Sequence, residues 1–218
     1  MRAHSYIVEH DMGFAPNPFH GACTLAACKP RIRRYAKIDE YVLGTGTKKR
    51  SLEKHLVYVM KISEIIGFDD YWKDRRFVRK RTVTNGSLVQ RYGDNIYHID
   101  AQSKRWVQEH SFHSKAGGVT DPDNLRLDTG STDRVLIGDW FIYWGGDGPE
   151  IPDRFEEFIH EGIGHHYIDD DAMIQKFIAW AVTNGAPGVR GDPCEWKHPR
   201  RKTREGPIPS CPRWLSSL

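Results

Sequence analysis

The pattern of apolar and polar positions, punctuated by Gly and Pro, divides the chain into many short strands and a few helices. Residues 3–9 alternate and carry Tyr6, Ile7 and Val8, which predicts a short strand. Residues 11–22 (DMGFAPNPFHGA) hold two Gly and two Pro, so they exclude a helix interior or a central strand. Such a loop, opening off a first strand, is a frequent place for function. Residues 22–37 (ACTLAACKPRIRRYAK) predict one turn of helix before Pro30 and another after it, with Pro30 near the second start. Residues 39–47 (DEYVLGTGT) read as a strand running into a Gly turn, and 55–66 (HLVYVMKISEII) as one long central strand buried on both faces. The spacing of Phe68, Tyr71 and Trp72 predicts a short helix over 68–77, with Asp69 or Asp70 as its cap. Residues 82–133 read mostly as loop, with a short strand near 95–99. An apolar strand or strand pair broken at Gly138 spans 134–144, a helix opens at Pro152 over 153–160, and 161–167 reads as a turn. The clearest amphipathic helix is 172–182, with Met173, Phe177, Trp180 and Ala181 at helical spacing.

Composition supports a core: 39% of the 218 residues are hydrophobic and 28% charged, which argues against wholesale disorder. No apolar run approaches the ~18 residues a membrane helix needs. The opening MRAHSYIVEHDMG lacks the apolar stretch of a secretory signal, so a cytoplasmic protein with no membrane partner is expected. From residue 185 onward the texture changes. Six of the twelve prolines fall there, with a basic cluster at 197–204, so the chain divides into a domain over 1–184 and a Pro/Gly-rich basic tail over 185–218. Charge is uneven: residues 139–171 hold ten acidic side chains against Arg154 alone, a net of −9 that leaves the rest at +12. That asymmetry suits either a polyanion partner or solvated surface charge.

Several motifs fail on spacing. His160-Glu161 with His165-His166 lacks the four-residue step that puts two His on one helix face, and Gly162 and Gly164 oppose a helix there. Cys194, His198 and Cys211 offer three zinc ligands without a fourth at ribbon spacing, so neither metal nor cofactor is predicted. The GTGTKKRS stretch at 44–51 is no P-loop; it suits a hairpin turn or a single phosphate contact. The chain has neither GxGxxG nor GxSxG. Cys23 or Cys28 could pair with a distant His as a nucleophile, or be simply buried. Trp106, Trp140, Tyr143, Trp144, Tyr97 and His98 could stack on a base or fill the core. Lys29, Arg31, Arg33 and Arg34 have the chemistry of phosphate contacts. On a helix, Arg31 and Arg34 share a face while Arg33 points elsewhere, free to pair inside the protein.

The runs FAPNPFHGACTLAACKPRIRR, YVLGTGT, LVYVMKISEIIGFDDYW, GDNIYH and SFHS, then RVLIGDWFIYWGG and PEIP, resemble the nucleotide-modification-associated domain, type two, over roughly residues 3–183. That family occurs in phages and bacteria beside DNA base-modification systems, and the resemblance implies handling of nucleotides or modified bases. Positions matching its motifs are Asn17, Pro18, Phe19, Lys29, Arg33, Thr45, Asp94, Asn95, Tyr97, His98, His113, Gly164 and His165. In these Pro/Gly-rich loops the Asn and Asp residues suit either a ligand or the turn itself. The element order is also similar to PUA-like barrels, including the EVE and ASCH families, which implies an α+β fold: a twisted, partly closed β-barrel surrounded by short helices, with the extended basic tail.

On that basis the protein is expected to bind a nucleotide or nucleic acid and recognise a modified or flipped base, in a DNA-modification or phage–host conflict setting. Lys29, Arg33 and Arg34 would meet phosphate, Tyr97 and Trp144 would stack, and Asn95 and His113 would read the base edge. Asn17, Phe19, Thr45 and His98 complete the candidate ligand set. The alternative is an enzyme of transferase or glycosidase type on the same ligands, with His113, His165 and Asp94 as acid–base candidates. A third reading is a protein-interaction module using the acidic segment. An enzyme requires groups that converge on a reacting atom, whereas a reader requires only stacking and edge contacts.

Overall fold

The computed structural model describes residues 1–197; His198, Cys211 and nearly all of the basic cluster lie outside the described residues. The fold is α+β, built on an open six-stranded mixed sheet. Its strands are β1 (Ala3–Ile7), β3 (Tyr41–Thr45), β4 (Leu56–Lys61), β9 (Trp140–Tyr143), β10 (His166–Ile168) and β11 (Gly188–Val189), in the order β10-β1-β3-β4-β9-β11. β1 pairs parallel with β3 and β9 parallel with β11; the other pairs are antiparallel. A second sheet has the order β2-β8-β5, from β2 (Cys23–Leu25), β5 (Glu64–Gly67) and β8 (Arg134–Gly138). A hairpin joins β6 (Tyr97–Ile99) to β7 (Trp106–Gln108). The described strands form no closed barrel.

Alternation along the strands sorts the core into layers. Tyr41, Leu43, Val59 and Ile142 face one side of the large sheet, where α5 (Asp171–Thr183) lays down Ile174, Phe177, Ile178 and Ala181. Val42, Val57, Met60, Phe141 and Tyr143 face the other side and pack on Leu25 and Leu136 of the second sheet and on Ile32 of α1 (Pro30–Tyr35). Val135 and Ile137, on the far face of β8, meet Phe68 and Tyr71 of α2 (Phe68–Lys73), together with Ile96 and Tyr97.

Three local expectations are overturned. The stretch 55–66 is two strands in different sheets. The chain turns at Ser63, whose N–H donates to Ile137 O while its hydroxyl accepts the Asp139 N–H. Residues 23–25 form a strand rather than a helical turn, because Cys23, Thr24 and Leu25 pair with β8. Gly67, not Asp69 or Asp70, is the N-cap of α2, and both carboxylates sit in its first turn. The region 82–133 also holds α3 (Leu88–Arg91) and α4 (Pro122–Thr129). The segment after 184 is tied to the body by β11 and by α6 (Cys194–Lys197). Asp11 anchors the latter by accepting the Cys194 N–H, and its carbonyl accepts the Glu195 N–H.

Candidate functional site

Cys28 sits between β2 and α1. Its φ of 58° and the 41° of Lys29 place two consecutive non-Gly residues in the left-handed region. Such conformations cost free energy and persist where the surroundings impose them, commonly at functional sites. Here the imposing group is Asp128, in the last turn of α4, whose Oδ1 accepts the Cys28 N–H at 2.7 Å. α4 forms because Asp121 caps it, accepting from the Asp123 and Asn124 N–H groups, with Pro122 at its first position.

The other oxygen of Asp128 faces His113. His113 Nδ1 lies 2.7 Å from Asp128 Oδ2, and His113 Nε2 lies 3.4 Å from Cys28 Sγ. His113 follows β7 in a tight turn where Ser111 and Ser114 bond one another, and its carbonyl accepts from Gln108 Nε2 and Asn124 Nδ2. Both His113 and Asp128 are fully buried, while Cys28 is half-buried. A carboxylate on Nδ1 fixes that nitrogen as the donor, so the Nε2 lone pair points at the thiol. Thiol, imidazole and carboxylate thus stand in the order of a nucleophile, its base and the group orienting that base. Burial would push the Asp128 carboxyl up, but His113, Arg33 and the Tyr97 hydroxyl outweigh it and hold its pKa below the usual range.

Arg33 explains part of this. It is 0% exposed, and its guanidinium donates to the carbonyls of Cys28, Asp128 and Arg134. Those contacts brace the two segments that meet at the site, so the phosphate role expected for Arg33 has no geometric support. Arg34 is exposed on the outer face of α1. Lys29 lies half-buried with Nζ 4.7 Å from the centre of the Tyr6 ring. Burial lowers its pKa, while negative charge on Cys28 and Glu9 acts to raise it.

The remaining expected residues do not join them. Tyr97 is buried, edge-on to Phe68, with its hydroxyl donating to Asp128. Trp144 is buried in another layer and donates Nε1–H to Asn184 O. Neither ring offers a base a free face. Asn17, Asp94 and Asn95 belong to an interior network around the buried Lys80. Its ammonium donates to Asn17 O and Oδ1, Ala22 O and Thr24 Oγ1, and Asp94 accepts from Thr24 and Tyr71. Burial raises the Asp94 pKa to about 6 against the opposing pull of Lys80. Asn95 holds the Tyr71 and Phe77 carbonyls. Thr45 is buried in β3, where Gly44 packs against Val8 and Tyr58, so the GTG stretch is a close-packing device and no phosphate cradle. His98 stacks on Trp72, and Phe19 stacks on Trp196 of α6. His165 lies in a separate shallow cleft with Arg31.

Sequence reasoning placed His113 among the candidates and considered Cys28, but it missed Asp128. Asp128 lies 100 positions from Cys28, in a helix with no apolar stripe to mark it. Among the described residues, no group of three or more His, Cys, Asp or Glu could hold a metal ion, and no helix is long and apolar enough to cross a membrane.

A family model described as nucleotide modification associated domain 2 matches residues 1–200. Neither a curated protein nor a solved structure matches the chain.

Proposed function

The chain belongs to the nucleotide modification associated domain 2 family, and from that premise we propose that it is a cysteine-dependent group-transfer enzyme of DNA base modification. The observation that carries this reading is the convergence of Cys28, His113 and Asp128 on one half-buried sulfur. It favours the enzyme over the base reader, whose stacking and edge-reading groups are enclosed in the core.

The chemistry suited to these groups is acyl transfer. His113 Nε2 takes the Cys28 proton, and the sulfur attacks a carbonyl carbon of the donor. A C–S bond forms, the bond from that carbon to its leaving group breaks, and His113 returns the proton to the leaving group. An exocyclic amine of a base then attacks the thioester carbon and gives its proton to His113; the C–N bond forms, the C–S bond breaks, and His113 passes the proton to the departing sulfur, restoring the thiol. Asp128 stays ionised, holding the imidazole in the required tautomer and stabilising its cationic form.

The test uses p-nitrophenyl acetate as a generic acyl donor, with intact-mass and peptide mapping. An acetyl group on Cys28 that is lost in His113→Ala and is passed on to an amine supports the reading. Acetylation that avoids Cys28, or that is indifferent to His113, refutes it.

A further inference from the structure

We propose that the cleft beside α1, lined by Arg31, Gly164, His165 and Tyr167, is an anion subsite that holds the phosphate of the nucleotide whose base reaches Cys28. This rests on the reading of Cys28 as the nucleophile and names the substrate class, a phosphorylated nucleotide.

The cleft has a volume of about 370 Å³, and Arg31, Ile163, Gly164, His165, His166 and Tyr167 line it; none of them is acidic. Arg31 is exposed in the first turn of α1, and none of the ion pairs among the described residues includes it. Behind His165 stands His4, buried, with ring centroids 6.3 Å apart. Its Nε2 is engaged by Glu40 at 2.9 Å, and its Nδ1 is enclosed without a protein partner. The second carboxylate acting on His4, Asp169, is held by Arg2 at 2.6 Å. At Gly164, φ is 103° and an added Cβ would meet nothing within 4 Å, so the backbone there is open to a ligand.

Electrostatics agrees with the geometry. Burial, then the charges of His4, Arg31, His160 and Lys29, press the His165 pKa down to about 4. Near neutral pH the His165 imidazole is therefore neutral and can offer a ring N–H, while Arg31 supplies the cation of a cleft lined by no carboxylate; a phosphate there gains a charge-assisted hydrogen bond from Arg31. Lys29, the neighbour of Cys28 in the chain, also contributes positive charge at His165. Three peptide units separate Arg31 from Cys28, so their Cα atoms lie within about 11 Å of each other. A separation of that size is within the span of a mononucleotide, as a phosphate at Arg31 with its base at the sulfur requires.

The experiment titrates the full chain with inorganic phosphate, the four deoxynucleoside 5′-monophosphates, the matching deoxynucleosides and a short single-stranded oligonucleotide, following the imidazole resonances. Monophosphates should bind at least about tenfold more tightly than nucleosides. The His165 titration midpoint should rise on binding, and Arg31→Ala and His165→Ala should each weaken binding about tenfold. If only the oligonucleotide binds, and does so through Arg31 and His165, the phosphate is that of a strand rather than a free nucleotide. Absence of binding by every phosphate-bearing probe, or affinities unchanged in both variants, overturns the subsite. Acetylation of Cys28 is measured on the same samples, so failure of the thiol chemistry with phosphate binding intact removes the enzyme reading alone.

Discussion

Replacing Asp128 by Asn changes one atom and one charge at the centre of the site. Oδ1 can still accept the Cys28 N–H, but an NH2 group now faces His113 Nδ1 and the Tyr97 hydroxyl, which both approach the Oδ2 position at 2.7–2.8 Å. Two donors cannot share that space, so the His113 proton moves to Nε2 and the imidazole presents N–H to Cys28 instead of a lone pair. The tautomer needed to accept the thiol proton is lost; loss of the orienting carboxylate in such triads costs about 10⁴ in rate. Arg33, 0% exposed, keeps Oδ1 at 3.7 Å from its guanidinium but loses the negative charge that oxygen shared. Breaking a buried charge pair costs about 3–5 kcal/mol, a drop of roughly 6–20 °C in Tm for a chain of this size. Tyr97→Phe is the control: it removes one hydroxyl, leaves the tautomer alone and should cost only about 1 kcal/mol. The assays are thermal melting, nitrogen NMR of the His113 tautomer, and the rate of Cys28 acetylation. A folded Asp128→Asn protein whose His113 keeps its proton on Nδ1 and whose Cys28 acetylates within twofold of wild type would refute the reasoning. A purely structural carboxylate would move Tm without moving the other two readings.

Other consequences follow from the interior. Asp94 has its folded pKa raised to about 6, above an unfolded value of about 3.9. Its contribution to stability is therefore full below about pH 4 and is lost as pH rises through about 6; Asp94→Asn should flatten that part of the Tm–pH profile, and an unchanged profile would contradict the assignment. Lys80→Met leaves the Asp94 carboxyl buried without its cation and empties a donor that serves four acceptors, so denaturant melting should show a loss of about 3–5 kcal/mol. Gly44→Ala sets a Cβ 2.3 Å from Val8 Cγ2 and 2.7 Å from Tyr58 Cε1; the overpacking should cost about 1–3 kcal/mol, read from the same melts.

Where apolar periodicity decides local structure, the sequence was legible. The helix expected over 172–182 is α5, and the break anticipated at Gly138 divides β8 from β9, because both depend on alternation within a few residues. The split of 55–66 was not legible, since Ile62 continues the apolar pattern while the chain crosses between sheets, a turn decided by hydrogen bonds to Ile137 and Asp139. At the candidate site the residue types were visible but their assembly was not. Nothing near Thr129 or Gly130 distinguishes Asp128 from a surface carboxylate, and only the fold brings it to His113. The helix-face argument for Arg33 anticipated its inward pairing better than the phosphate role did. Asn17, Asp94 and Asn95 show the reverse, since polar residues in Pro/Gly-rich loops proved to be the interior of a network rather than a ligand surface.

The central claim is that Cys28 is a thiol activated by His113, and alkylation by iodoacetamide under native conditions, mapped by mass spectrometry, tests it most directly. Cys23 and Cys194 serve as internal references, for burial raises the pKa of both thiols, that of Cys194 to about 12. Near neutral pH, Cys28 should be modified first and faster than an unstructured cysteine peptide, and His113→Ala should slow it by about tenfold or more. Cys28 reacting no faster than the peptide, or at the same rate with and without His113, would contradict the account.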